Sequence, residues 1–202
     1  MPREFAVTFD YLCPFARNAH EHMLTGFADG ADWEVTFTPY SLAQGHVEEG
    51  QPDVWDANDP AEVPGVLALQ VGLAVRDHAP EHFRSIHGAI FAARHDEGRD
   101  IKDREVLHDV LRTGGLDADE VFDLVDGGGP LKVLRAEHED AVATHSVWGV
   151  PTFIAGGRAV FVRFLDRPEG DAEVARRRIE HAVGLVVDEP MLHEFKQTDL
   201  PR

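Results

Sequence analysis

The sequence is poor in cysteine, in lysine and in long apolar runs. Cys13 is the only cysteine among 202 residues, which excludes an internal disulfide and any fold that depends on an oxidising compartment. The lysines are Lys102, Lys132 and Lys196. No run of about 18 apolar residues occurs, so we expect no segment that spans a membrane.

Positive charge is also in short supply. The chain carries 19 Lys and Arg residues against 37 Asp and Glu residues, a net charge of −18. Because phosphate binding requires clustered Lys and Arg, this composition argues against a general nucleic-acid-binding protein. We interpret the excess as an acidic, self-repelling surface. Residues 1–4 lead directly into a strand without the apolar core of a signal peptide, which predicts a cytoplasmic location.

Cys13 follows a strand-like run, residues 5–9, and precedes a helical stretch for which Pro14 is a suitable first residue. The free N–H groups and the dipole at a helix N-terminus favour an anion. The pattern therefore predicts a reactive thiol with a pKa well below about 8.5. The alternative is a small buried hydrophobic residue that happens to be cysteine.

Hydrophobic periodicity predicts an α/β fold in the order β-α-β, a helical block, then β-β-α. Strands that flank a helix in the first unit are expected to be parallel, and Gly156-Gly157 predicts a hairpin in the second. The predicted elements are strand 4–9, helix 14–28, strand 33–38, an irregular loop 41–64, helices over 65–147, a short strand after Pro151, strand 158–164 and helix 168–187.

Other chemical motifs are weak. The pair His20 and His22 cannot face one site on a helix, and His138 and His145 lack the spacing of zinc proteases. We therefore predict no metal site. The glycine triplet 127–129 lacks the lysine of a phosphate-binding loop, so we interpret it as a turn or hinge.

Two motifs carry a resemblance to a known family. The Cys13-Pro14-Phe15 motif at the start of a helix, followed after a long helical insertion by Val150-Pro151-Thr152, resembles the DsbA-like branch of the thioredoxin superfamily. The resemblance implies a thioredoxin-like fold built from residues 1–64 and 148–187, an inserted all-helical subdomain at 65–147 and a C-terminal tail at 188–202. The tail residues 193–198 also look similar to those of mycothiol-dependent reductases of this branch.

The same resemblance assigns the candidate site. It implies that Cys13 is the nucleophile within the motif Pro14, Phe15 and Ala16. It also implies a cis Pro151 beside Cys13, with the backbone of Val150 and the neighbouring Thr152 receiving a thiol substrate. The position of Arg17 beside Ala16 gives a separate prediction, that its charge lowers the pKa of Cys13 or binds an anionic thiol, and the alternative is an arginine that faces solvent.

Ala16 is the main departure from this family, because dithiol members have their second cysteine at that position. Attack by Cys13 on a disulfide gives a mixed disulfide that no second cysteine of the chain can resolve. We expect a thiol oxidoreductase or transferase that uses a low-molecular-weight thiol, mycothiol or glutathione, and acts on a small-molecule or protein disulfide.

Two alternatives remain open. One is a catalytically degenerate thioredoxin-like binding protein. The other is a thiol-dependent isomerase. The resemblance also extends to glutathione S-transferase kappa and 2-hydroxychromene-2-carboxylate isomerase, related branches that have one catalytic position and use glutathione. The sequence predicts neither the identity of the thiol nor the oligomeric state.

Overall fold

A computed structural model describes residues 3–189 and 191–192, and the tail motif 193–198 lies outside them. A mixed four-stranded sheet is flanked by helices. Its strands are β1 (Arg3–Phe9), β2 (Trp33–Pro39), β3 (Thr152–Ala155) and β4 (Arg158–Phe161). The helices are α1 (Pro14–Ala28), α2 (Leu42–Gly45), α3 (Val66–His78), α4 (Pro80–His95), α5 (Arg104–Thr113), α6 (Ala118–Asp126), α7 (Gly129–His145) and α8 (Ala172–Val187).

The sheet order β2-β1-β3-β4 places β1 in the interior. β1 and β2 are parallel, from the pair Arg3–Trp33 to the pair Phe9–Pro39, whereas β3 runs antiparallel to both β1 and β4. Val7 and Phe9 on one face of β1 and Thr8 on the other are fully buried, because a central strand is covered on both faces. The predicted α/β, thioredoxin-like order of elements is therefore confirmed.

In the C-terminal β-β-α unit, β4 and α8 are both shorter than predicted. Gly156 and Gly157 both have positive φ and form the hairpin turn. β4 ends at Phe161 because its partner in the ladder is Thr152, the first residue of β3. α8 begins at residue 172, where the Asp171 side chain accepts a hydrogen bond from the backbone N–H of Val174 at 3.0 Å.

The loop predicted as irregular over residues 41–64 contains α2 and two 3₁₀ turns, Val54–Asp56 and Pro60–Glu62. The Gln44 side chain ties this loop together, since it donates to Asp53 Oδ1 at 2.7 Å and accepts from the Val54 N–H at 2.9 Å. Trp55 is buried and contacts the His138 ring edge-on. Its role is packing.

The helical block α3–α7 shares one continuous core with the sheet. Phe37 of β2 meets Phe83 of α4 with ring centroids 5.2 Å apart, and Tyr11 meets Phe91 at 4.8 Å. α3 approaches Tyr11 at Gly72, where an added Cβ would lie 2.3 Å from the Tyr11 hydroxyl. The block therefore positions the loop between β1 and α1. None of the helices described is long and apolar enough to cross a membrane.

Candidate active site

Cys13 caps the N-terminus of α1. Its backbone is extended, with φ −88° and ψ 117°, and Pro14 is the first helical residue. The Cys13 Sγ atom accepts a hydrogen bond from the Ala16 N–H at 3.4 Å. The residue is buried, with 7% of its surface exposed. The strand–Cys–Pro–helix order read from the sequence thus places the thiol at a helix N-terminus.

The loop before β3 lies directly against this thiol. The Cys13 S–H donates to the Val150 carbonyl oxygen, with Sγ and O 3.3 Å apart. The peptide bond between Val150 and Pro151 is cis. The structure thus joins the two sequence motifs, which are 137 residues apart along the chain.

Thr8 and Thr152 hold this loop on the sheet. The Thr152 N–H donates to Thr8 Oγ1 at 2.9 Å, and the Thr152 hydroxyl donates to the Gly149 carbonyl at 2.8 Å. Both threonines are buried. Their hydrogen bonds replace those that water would make, so the loop is held at a defined distance from Cys13.

Asp10 is a buried carboxylate that sequence reasoning missed. It is fully buried at the end of β1, three residues before Cys13. Its two oxygens accept from the backbone N–H groups of Leu12 and Leu42, each at 2.8 Å. Burial raises its pKa from 3.8 to about 6, although the two N–H groups act to lower it. An acid that directly ends an apolar strand is the available sequence signal.

The charge state of Cys13 differs from the prediction. Burial raises the pKa of the thiol, and the nearby Asp10 acts in the same direction. The backbone N–H groups of Ala16 and Phe15, followed by the Arg163 guanidinium, act to lower it. The prediction of a lowered pKa is therefore wrong for this structure, because desolvation outweighs the helix N-terminus.

Arg17 does not reach the thiol with its side chain. Its guanidinium is buried and pairs with Glu21 in α1 and with Asp96, whose Oδ1 lies 2.7 Å from Nη2. The side chain therefore links α1 to the end of α4. The arginine whose charge acts on Cys13 is Arg163, which follows β4 and was not singled out from the sequence.

A buried polar chain runs behind the site. The Tyr11 hydroxyl lies 2.8 Å from His87 Nδ1, His87 Nε2 lies 2.8 Å from His20 Nδ1, and His20 Nε2 lies 3.4 Å from the Thr8 carbonyl. Burial lowers the pKa of His20 to about 3, and that of His87 also falls well below its usual value. Both imidazole rings are therefore neutral at neutral pH, and each of these three hydrogen bonds contains one proton.

A cavity of about 330 Å³ adjoins the cysteine loop at Leu12, with Gly65, Arg94 and Lys102 in its lining. A larger groove of about 730 Å³ runs along β2 and includes Arg76 and Glu137. Within residues 3–189 and 191–192, no group of three or more His, Cys, Asp or Glu side chains is placed to hold a metal ion.

A protein-family model matches most of the chain. The model of the DSBA-like thioredoxin domain matches residues 6–167. No curated protein matches the chain.

Several solved structures share the fold. The cytosolic disulfide reductase DsbM from Pseudomonas aeruginosa, solved with GSH, is 19% identical with a TM-score of 0.61, covering 89% of this chain and 98% of that one. A probable DsbA oxidoreductase from Streptomyces coelicolor is 18% identical with a TM-score of 0.59, covering 97% and 94%. A 2-hydroxychromene-2-carboxylate isomerase is 15% identical with a TM-score of 0.60, covering 90% and 98%. At these identities the likeness establishes the fold.

Proposed function

The chain belongs to the family of DSBA-like thioredoxin domains, and from that premise we propose that it is a cytoplasmic thiol oxidoreductase whose Cys13 exchanges with mycothiol or glutathione. One observation carries the proposal. The only thiol of the chain sits at a helix N-terminus, 3.3 Å from the Val150 carbonyl of the loop that holds a cis proline. A thiol placed between a helix N-terminus and an extended loop is suited to exchange with a linear disulfide.

The reaction proceeds through a mixed disulfide. The Cys13 thiolate attacks one sulfur of a substrate disulfide, forms a new S–S bond and releases one substrate thiolate. A low-molecular-weight thiolate then attacks the Cys13 sulfur, which frees the second substrate thiolate. A second molecule of that thiol regenerates Cys13 and leaves as the oxidised dimer. The substrate disulfide gains two electrons, and two small thiols lose them.

The small thiol does the work of the missing second cysteine, because Ala16 cannot attack the mixed disulfide. A structural relative, the cytosolic disulfide reductase DsbM from Pseudomonas aeruginosa, is solved with GSH, which supports a partner of this class.

The resting thiol must lose its proton before it attacks. The Cys13 S–H group donates a hydrogen bond to the Val150 carbonyl oxygen, and an incoming substrate must break this hydrogen bond. The Ala16 N–H and the Arg163 guanidinium then stabilise the thiolate, while Asp10 opposes it. Reactivity is therefore expected to rise with pH through the raised pKa of Cys13.

Intact-mass measurement tests this function directly. The protein is incubated separately with oxidised glutathione and oxidised mycothiol, and Cys13→Ser is the control. We expect a single adduct on the wild type that free thiol removes, and none on Cys13→Ser. The disulfide that reacts faster identifies the partner.

The burial of Cys13 favours a second candidate function, a thioredoxin-like binding module without exchange chemistry. A wild-type protein that forms no adduct while folded, but reacts normally once denatured, would overturn the exchange proposal and support this candidate.

A further inference from the structure

Arg163 is an exposed cation whose backbone is held between the two halves of the candidate site. The preceding residue, Val162, donates its N–H to the Pro151 carbonyl at 3.1 Å. The following residue, Phe164, accepts at its carbonyl from the Asn18 side chain of α1 at 2.9 Å. One side of Arg163 is therefore attached to the cis-proline loop and the other to the helix that carries the cysteine motif.

The guanidinium of Arg163 lies against the ring of the cysteine motif. It is 5.5 Å from the Phe15 ring centroid and 5.9 Å from the Phe161 ring centroid. Phe15 comes two residues after Cys13. The positive charge reaches the sulfur atom, because Arg163 is one of the groups that act to lower the pKa of the Cys13 thiol. A charge that acts on the sulfur also acts on any charged group that a substrate brings next to it.

Arg163 pairs with no carboxylate among the described residues. Four residues later, by contrast, Arg167 pairs with Glu21 at 2.7 Å and with Asp96 at 3.3 Å. The acid whose charge acts on the same thiol is Asp10, which is fully buried and already accepts two backbone N–H groups. Cation–π contacts use the face of a guanidinium, so the N–H donors of Arg163 remain available for an anion from outside the chain.

An unpaired cation beside the sulfur affects which disulfides react. The chain as a whole has a net charge of −18, which repels anions. In the exchange, the Cys13 thiolate attacks one sulfur, a new S–S bond forms as the substrate S–S bond breaks, and a thiolate leaves. A carboxylate near the substrate sulfur adds a further negative charge to this step. The Arg163 guanidinium is positioned to offset that charge.

We propose that Arg163 is a specificity-determining residue that favours the reaction of Cys13 with disulfides that carry a carboxylate near their sulfur atoms. The inference rests on the proposed thiol exchange, since it names the charge class of the disulfide that this reaction consumes. Neutral disulfides gain no attraction from the guanidinium, and cationic disulfides are repelled by it.

Alkylation of Cys13 with iodoacetate and with iodoacetamide measures this charge selectivity. The two reagents differ by one negative charge at nearly the same shape, so the ratio of their rates cancels the thiolate fraction and the accessibility of the sulfur. Arg163→Gln should lower the iodoacetate-to-iodoacetamide ratio roughly threefold, which is the effect of one exposed charge pair. Arg163→Glu should lower it roughly tenfold, and Arg163→Lys should keep a ratio close to that of the wild type.

Two disulfides extend the comparison to the proposed reaction. Intact mass follows the initial rates at which anionic 3,3′-dithiodipropionate and neutral bis(2-hydroxyethyl) disulfide form an adduct on Cys13. Arg163→Gln should lower the ratio of these rates by roughly the same factor of three. The difference between the wild type and Arg163→Gln should shrink at about 1 M salt, because charges are then screened over about 3 Å.

Arg84→Gln is the matched control. Arg84 is also exposed, lies 3.6 Å from the centroid of the Phe27 ring, and pairs with no carboxylate among the described residues. Its charge is not among those that act on Cys13, so both rate ratios should equal those of the wild type. Circular dichroism of each variant verifies that the fold is retained.

Wild-type ratios in Arg163→Gln for both pairs of reagents would overturn the inference, as would an equal fall in Arg84→Gln. A folded wild type that neither iodoacetate nor iodoacetamide alkylates would also overturn it, because no reagent would then reach the sulfur beside Arg163. Charge-selective alkylation without any disulfide adduct would refute thiol exchange and support Arg163 as the residue that selects charge at Cys13. Adducts from both disulfides at a ratio that Arg163→Gln does not change would refute the selectivity alone.

Discussion

Replacing Asp10 with asparagine removes the buried charge nearest in sequence to Cys13. The wild-type carboxylate accepts hydrogen bonds from the Leu12 and Leu42 N–H groups, each at 2.8 Å. Asparagine keeps one acceptor oxygen and turns an amide N–H₂ toward the other N–H, so we expect a loss of stability that is constant with pH. The informative quantity is how the free energy of unfolding changes with pH.

The magnitude follows from the pKa of Asp10, which burial raises from 3.8 to about 6. A carboxyl group with a raised folded-state pKa contributes stability below its unfolded pKa. That contribution is lost as pH rises through the folded pKa. A shift of about two pKa units corresponds to about 3 kcal/mol in full, of which about 2 kcal/mol falls between pH 4.5 and 7.5.

Urea unfolding of the wild type and Asp10→Asn at pH 4.5 and 7.5 measures this pH-dependent contribution of Asp10 to the free energy of unfolding. We expect the wild type to lose about 2 kcal/mol more than Asp10→Asn across that interval. Contributions from buried histidines are common to both proteins and cancel. Asp123→Asn, at an exposed position of α6, is the matched control and should behave as the wild type.

Parallel pH profiles for the wild type and Asp10→Asn would refute the reasoning, because they would show that Asp10 does not titrate between these pH values in the folded protein. A reversed difference, with the wild type gaining stability as pH rises, would show that the two N–H groups outweigh burial.

Three further predictions concern the packing behind the site, each measured by urea unfolding. Tyr11→Phe leaves His87 Nδ1 without its partner at 2.8 Å, and we expect a loss of about 1–3 kcal/mol. Gly72→Ala places a Cβ 2.3 Å from the Tyr11 hydroxyl, so we expect the free energy of unfolding to fall by about 1–3 kcal/mol. The loss should be smaller in the Tyr11→Phe background, which lacks that hydroxyl. An equal loss in both backgrounds would contradict this contact. Thr8→Val removes the oxygen that accepts from the buried Thr152 N–H at 2.9 Å, and we expect a loss of about 1–3 kcal/mol together with slower adduct formation at the cysteine.

The local pattern of the chain determined much of the fold. Alternation in β1 and β2, the Gly156-Gly157 turn and the Cys13-Pro14 helix start are signals that neighbouring residues supply by themselves. Helix α1 was predicted at 14–28 and spans those residues, because a cap and a proline mark its start within three positions. Boundaries that depend on a partner strand, such as the end of β4 at Phe161, were less accurate.

The sequence by itself determined the order of elements and the position of the thiol at a helix N-terminus. Only the tertiary structure decided the electrostatics of that thiol. Burial of Cys13 against Val150, 137 residues away, raises a pKa that the helix N-terminus alone would lower. Tertiary packing also directs Arg17 to Asp96 and brings Arg163 toward the cysteine instead. Desolvation and charge pairing depend on which distant residues come into contact, and the local sequence pattern does not predict those contacts.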